Sequence, residues 1–309
     1  MTTLLISHDS SLNHETPTGH PERADRYRAI KAVLEDEQFS MLAREEAPEA
    51  ELLAIARVHP MQYVDALREA VPASGNVRID ADTSLSAGSW EPIMRAAGGA
   101  VLAVDEVMTG DAANAFVLMR PPGHHAETAT AMVFCFLTNA AIAARHAQVQ
   151  YGAERVAIVD FDVHHGNGSQ EIFWSDKTVM YCSTHEMPLY PGTGSRTERG
   201  EHNNIVNAPL PSGSGGDEFR EAMSTVILPR LGEFRPDLIV VSAGFDAHEH
   251  DPLASLRLVA ADFTWATQQL MEAADRHSQG RLVSVLEGGY DLQGLSQSVA
   301  AHVKTLIHG

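Results

Sequence analysis

Apolar and polar residues fall in blocks with two different periods. Short continuous apolar runs occupy Leu4–Ile6, Ala115–Met119, Arg155–Val159, Val179–Cys182, Leu238–Val241 and Leu282–Leu286. Between them the apolar positions recur at helical spacing. Ala24, Tyr27, Ile30, Val33 and Leu34, for example, line one side of a helix over Arg23–Phe39. The same spacing predicts helices over Glu49–Arg57, Met61–Val71, Trp90–Met108, Leu137–Gln150, Glu218–Phe234, Asp262–His277 and Leu292–Ile307. Pro229 is placed to kink the one over Glu218–Phe234. Strands apolar on both faces, separated by helices, predict a parallel sheet covered on both sides, and the length fits one α/β domain over residues 1–309 as well as two.

Ligands of such sheets bind beyond the carboxyl ends of the strands. Four of the predicted strands run at that end into RPPGHHA, DFDVHHGNG, SAGFDAHEHDP and EGGYD. Histidine, aspartate and tyrosine therefore converge on one edge from four separate segments. Composition narrows the partners. With 41 acidic and 22 basic side chains the net charge is −19. That lacks a basic footprint for nucleic acid and mildly favours cationic substrates. No stretch reaches the roughly 20 apolar residues of a membrane span, and MTTLLISHDS lacks a basic leader. Two cysteines, Cys135 and Cys182, build no disulfide framework, so a reducing, cytoplasmic setting is expected. A homo-oligomer is compatible with all of this.

Asp160, Asp162 and His164 share one face of an extended segment, since residues two apart point the same way. Carboxylate and imidazole at that spacing suit one divalent cation, and Gly166 and Gly168 let the backbone turn around it. Asp246 leads as third ligand, with His248, His250 and Asp251 as neighbours that could replace it. Two carboxylates and one histidine leave a position open for water, as catalysis needs. Zinc leads; iron(II), cobalt and manganese also fit the donor set. His124 or His125, after Pro121-Pro122-Gly123, supplies a proton shuttle, and Tyr290, after Gly288-Gly289, an oxyanion donor.

RPPGHHA, DFDVHHGNG, AGFDAHEHDPLA and EGGYD, in this order and with GHPERADR and YPGTG, resemble the histone deacetylase and acetylpolyamine amidohydrolase family, and its class II and bacterial branch in particular. The likeness runs from about His8 to the final helix. It implies a three-layer arginase-like fold with an eight-stranded, mainly parallel sheet and helices on both faces. Two strands beyond the six above are then expected between Glu45 and Asp80 or near Asn204–Asn207. It implies zinc on Asp162, His164 and Asp246, and His125 as general base. His124 is a second histidine oriented by Asp160, and Tyr290 holds the oxyanion. Phe134 and Tyr190 match the aromatics of the substrate tunnel, with Gly288 and Gly289 beside it. Arg23 matches a basic residue of an internal acetate channel. Asp160 and Ser183, with backbone carbonyls of Asp162, His164 and Thr184, match a potassium site. The implied substrate is an acetylated lysine of a peptide or protein, or a small acetylated amine.

Two positions depart from the family pattern. Asn167 stands where class I members have aspartate, and Val133 stands where a glycine is expected before Phe134. At the rim, polyamine-selective relatives resemble this chain but place a glutamate after the Asp-Pro pair. Here Leu253 follows Asp251-Pro252, while Asp82 offers a rim carboxylate. Acyl-lysine is therefore expected over polyamine. A catalytically weak acyl-lysine binding module is the third possibility, which the intact Tyr290 argues against.

Overall fold

The computed structural model of the chain describes residues 2–309. Ten strands form, β1 (Thr3–Ser7), β2 (Ala43–Glu46), β3 (Asn76–Arg78), β4 (Ser84–Ser86), β5 (Asn114–Leu118), β6 (Val156–Asp160), β7 (Val179–Glu186), β8 (Ile205–Leu210), β9 (Leu238–Ala243) and β10 (Leu282–Leu286). Eight of them make one sheet in the order β2-β1-β5-β10-β9-β6-β7-β8, and every pairing in it is parallel. The helices are α1 (Ala24–Leu34), α2 (Leu52–Ile55), α3 (Met61–Ala70), α4 (Trp90–Thr109) and α5 (Asn139–Tyr151), followed by α6 (Asn167–Ile172), α7 (Gly216–Ala222), α8 (Leu228–Phe234), α9 (Ala260–His277) and α10 (Leu292–His308).

The period of two along each strand sorts side chains into two cores. Leu4, Ile6, Ala115, Val117, Val156 and Ile158 join the small residues of α4 and α5. Leu5, Phe116, Leu118, Ala157 and Val159 join α1, α9 and α10 on the other face. Both faces are therefore apolar, which is why the central strands read as continuous hydrophobic runs.

The two strands missing from the apolar pattern are the edges. β8 begins at Ile205, inside the expected window, and tolerates Pro209 because an edge strand has a free side. β2, with the sequence AREE, is mostly exposed and only touches the start of the other window. The rest of that window holds the separate antiparallel β3–β4 hairpin. The predicted helix over Glu218–Phe234 is α7 and α8 joined by a π-helical stretch, Met223–Ile227. Pro229 lacks an N–H to donate, and the ladder widens just before it. Among the described residues no helix is long and apolar enough to cross a membrane.

Candidate active site

β5, β10, β9 and β6 are neighbours in the sheet, so the four motif loops that follow them meet at one edge. Beyond β6 the chain folds back on its own carboxylates. Asp162 N donates to Asp160 Oδ1 at 3.1 Å, and His164 N to Asp162 Oδ1 at 2.9 Å. From the β9 loop, Asp246 Oδ1 accepts Val163 N at 2.8 Å. His164 Nδ1 lies 3.0 Å from Asp246 Oδ2 and 3.3 Å from Asp162 Oδ1. One ligand atom from each of Asp162, His164 and Asp246 falls within 4.8 Å of the others, and all three residues are buried. Gly288 makes that approach feasible: its N–H donates to Asp162 Oδ2 at 2.8 Å, and a Cβ there would overlap both carboxylates.

These groups crowd negative charge. Burial, and then the Asp162 charge, push Asp246 up to about 7. Burial works the same way on Asp162, but His124 and His164 outweigh it and hold that carboxyl well below its usual range. Burial would lower His164, yet its bonds to Asp162 and Asp246 hold it up at about 10. The set demands a positive charge between two carboxylates. A divalent cation held by both aspartates and by His164, deprotonated on binding it, would supply it. His248 and His250 stand outside: His250 N donates to His248 Nδ1 at 3.2 Å. Asp251 is occupied as the acceptor of Tyr290 N at 2.7 Å.

The tandem histidines share one turn and have opposite environments. Their rings lie 4.0 Å apart. His124 Nδ1 donates to Asp160 Oδ2 at 2.9 Å. Burial opposes its charge, but Asp160, Asp162 and Glu287 overcome this and hold His124 well above the usual histidine range. His125 Nδ1 donates instead to Asn167 Oδ1 at 2.9 Å. Burial and then the charge of His124 hold it well below that range. His125 is thus the neutral one, with Nε2 carrying the lone pair.

Several residues of the site were not singled out from the sequence. Glu287 Oε2 accepts Gly123 N at 2.7 Å and His124 N at 3.1 Å, while Oε1 accepts Ser242 Oγ at 3.1 Å. One carboxylate thereby joins the ends of β5, β9 and β10. Its signal was present: an acid directly after a fully apolar strand, as for Asp160. Arg26 corrects the expectation for Arg23. Arg23 is a surface residue, its side chain 49% exposed and 3.4 Å from Asp25. The inward face of α1 instead buries Arg26, whose Nε donates to Gly289 O at 2.6 Å and whose guanidinium lies 5.0 Å from the Tyr290 ring centre. Glu22 pairs with both Arg26 and Arg120 in the same buried cluster. The spacing from Glu22 to Arg26 is i to i+4, which a helical reading of HPERADR contains.

The remaining expected residues are placed as follows. Tyr290 packs edge-on against Phe134 at 5.9 Å, and among the described residues its hydroxyl has no hydrogen-bond partner. Burial holds its phenol well above 10; Arg26 pulls the other way, and Asp246 and Asp162 add to the rise. Phe134 also meets His20 at 4.6 Å. Tyr190, 50% exposed, stands 6.4 Å from His125. Asp82 is exposed, its carbonyl accepting His20 Nε2 at 2.9 Å, and its charge is felt at Tyr190. Leu253 is half-buried and belongs to neither core. Gly288 and Gly289, expected beside substrate, have their polar groups taken up by Asp162, Phe245 and Arg26. Asp160 and Ser183 are register partners across β6 and β7. Val133 adopts φ +46°, a left-handed conformation that glycine takes without strain and a β-branched residue does not. That accounts for the glycine expected there.

At one edge of a three-layer α/β sheet stand an Asp-His-Asp set that could hold a metal ion, two histidines of opposite environment and a tyrosine. A model of the histone deacetylase domain matches residues 20–306. A probable deacetylase of Archaeoglobus fulgidus is 40% identical over 303 residues, covering 95% of this chain and 83% of its own length. A histone deacetylase-like amidohydrolase of Pseudomonas aeruginosa is 41% identical over 278 residues, covering 88% of this chain and 73% of its own. The crystal structure of the HDA15 HD domain superposes with a TM-score of 0.93 at 37% identity, covering 99% of this chain and 89% of that one. The chain belongs to the histone deacetylase family.

Asn167→Asp tests the histidine assignment. A carboxylate against His125 Nδ1 favours imidazolium and raises the pKa by roughly one unit or more. The base is active when deprotonated, so activity is lost as pH falls through that pKa. The acid limb of the kcat/KM profile therefore moves to higher pH in the variant. An unmoved limb excludes His125 as the titrating base.

Proposed function

We propose that this chain is a zinc-dependent deacetylase that hydrolyses the amide of acetyl-lysine side chains, releasing acetate and the free amine. The carrying observation is the pairing of the buried Asp162–His164–Asp246 set with a neutral, Asn167-oriented His125 beside it. When bound, the cation supplies Lewis acidity and lowers the pKa of water. His125 Nε2 takes the proton of the attacking water and returns it to the leaving amine. His124, kept cationic by Asp160, stabilises the negative charge that develops in the transition state. Tyr290 retains its proton because its phenol is held well above 10, and its free hydroxyl donates to the acyl oxyanion. Phe134 and Tyr190 flank the aliphatic chain. Asp160 and Ser183 would hold potassium, and two buried free thiols suit a reducing compartment such as the cytoplasm.

Acyl-lysine is favoured over an acetylpolyamine by Leu253. A half-buried leucine covers methylenes but offers no anion to a distant ammonium. The exposed Asp82 carboxylate and the −19 charge favour the polyamine reading. Leu253 weighs more, because salt screens the diffuse field within about 10 Å.

Three measurements check this reading. Elemental analysis finds about one zinc per chain, lost in Asp246→Ala while the circular dichroism spectrum persists; zinc retained in that variant removes Asp246 from the ligand set. Tyr290→Phe lowers kcat on an acetyl-lysine peptide about 10²–10³-fold with little change in binding. Wild-type turnover in it would reduce Tyr290 to packing. Finally, the wild type prefers acetyl-lysine peptide to acetylspermidine in kcat/KM, and Leu253→Glu shifts the ratio towards spermidine by roughly 10-fold or more. A tenfold wild-type preference for acetylspermidine would instead establish the polyamine reading.

A further inference from the structure

A second concavity lies at the β8 edge of the sheet, away from the catalytic edge. It encloses about 430 Å³ between the loop after Tyr190, the amino-terminal half of β8 and the α8 region. Its lining contains Arg196, Arg199 and Arg230 against a single acid, Glu233. In a chain of net charge −19 this is a local reversal of sign. Among the described residues Arg196 and Arg199 have neither an ion pair nor a side-chain hydrogen bond.

One buried polar atom of the same lining lacks a partner. Arg230 donates through Nη2 to Asn203 O at 2.6 Å, and its Nε is ion-paired with Glu233 at 3.4 Å. Asn207 is 6% exposed and its Oδ1 has no donor. Buried polar atoms are normally satisfied, so an orphan acceptor beside two unpaired guanidinium groups points to an occupant that carries both a donor and an anion. Ile205, Val226 and Pro229 give it an apolar floor. The volume falls within the usual range for small-molecule sites.

We propose that this concavity binds a phosphorylated small molecule with an apolar or aromatic body. Guanidinium forks match phosphate oxygens in bidentate fashion, and the floor takes the organic part. The site also abuts the loop that carries Tyr190. Asn207 Nδ2 donates to Gln170 Oε1 at 2.7 Å, and Gln170 Nε2 to Glu198 Oε2 at 2.6 Å. Glu198 clamps the loop by accepting Gly194 N at 2.9 Å and Ser195 N at 3.1 Å. Arg196 and Arg199 straddle that glutamate, so an occupant stiffens the segment beneath the tunnel rim. The proposal stands on residues distinct from the hydrolytic site and does not depend on the reaction assigned there.

The test is thermal melting and calorimetry of the full chain with AMP, inorganic phosphate and adenosine at constant ionic strength. AMP raises the Tm saturably. Adenosine does not, and inorganic phosphate binds more weakly than AMP. Arg196→Ala/Arg199→Ala keeps the ligand-free Tm, because both side chains are exposed and unpartnered, and weakens AMP binding by at least about tenfold. Absence of saturable binding by AMP overturns the site. Equal AMP binding in the double variant places the anion elsewhere, including at the catalytic metal, and overturns it too. Inorganic phosphate binding as tightly as AMP would remove the organic ligand from the assignment.

Discussion

Two buried carboxylates that face each other constrain everything at the catalytic edge. Asp162 and Asp246 sit where a fixed charge costs several kcal/mol even after the protein relaxes around it. Backbone amides offset part of that, from Val163, His164 and Gly288. A cation between them would offset the remainder, and residue 288 has no room for a Cβ because the two carboxylates approach it so closely. The approach of these carboxylates accounts for glycine at 244 and 288, where a Cβ would overlap them.

That constraint is met only because the sheet order differs from the chain order. β5, β10, β9 and β6 lie side by side although residues 114 to 286 separate the first from the last to be made. Parallel pairing puts all four carboxyl ends on one edge. Glu287 then ties three of the four loops together through Gly123, His124 and Ser242. Arg26 fixes the far end of the β10 loop, holding Gly289 O and lying over the Tyr290 ring. Rigid positioning of this kind matters because catalytic groups act only within a few tenths of an ångström of their productive geometry.

What the sequence shows of this depends on whether a signal is local. The central strands and the long helices are legible because each carries its period within its own segment. Trp90–Thr109, for instance, lies within a residue of the stretch read from periodicity. β2 was missed because an edge strand buries almost nothing, and AREE has no apolar run to show. The motif residues were legible through their positions at strand ends. Arg26 was not distinguished from Arg23, because which of two arginines faces inward is decided by the phase of α1 against its neighbours. Partnerships across the sheet, such as Glu287 with the histidine turn, lie 164 positions apart in sequence and carry no local mark.

The tandem histidines show why residue identity alone leaves mechanism open. His124 and His125 are chemically the same, adjacent, and 4.0 Å apart. Their roles diverge because one meets a carboxylate and the other an amide. Once Asp160 keeps His124 charged, that charge itself disfavours a second proton on His125. The asymmetry is therefore self-reinforcing: the acidic partner of one histidine helps make the other a base. Asn167 completes it by accepting from His125 Nδ1 without adding negative charge, so the tautomer is fixed while the pKa stays low. An aspartate at that position would fix the same tautomer and weaken the division between the two rings. Thus the departure at residue 167 is a choice about which histidine holds the proton, made without moving either ring.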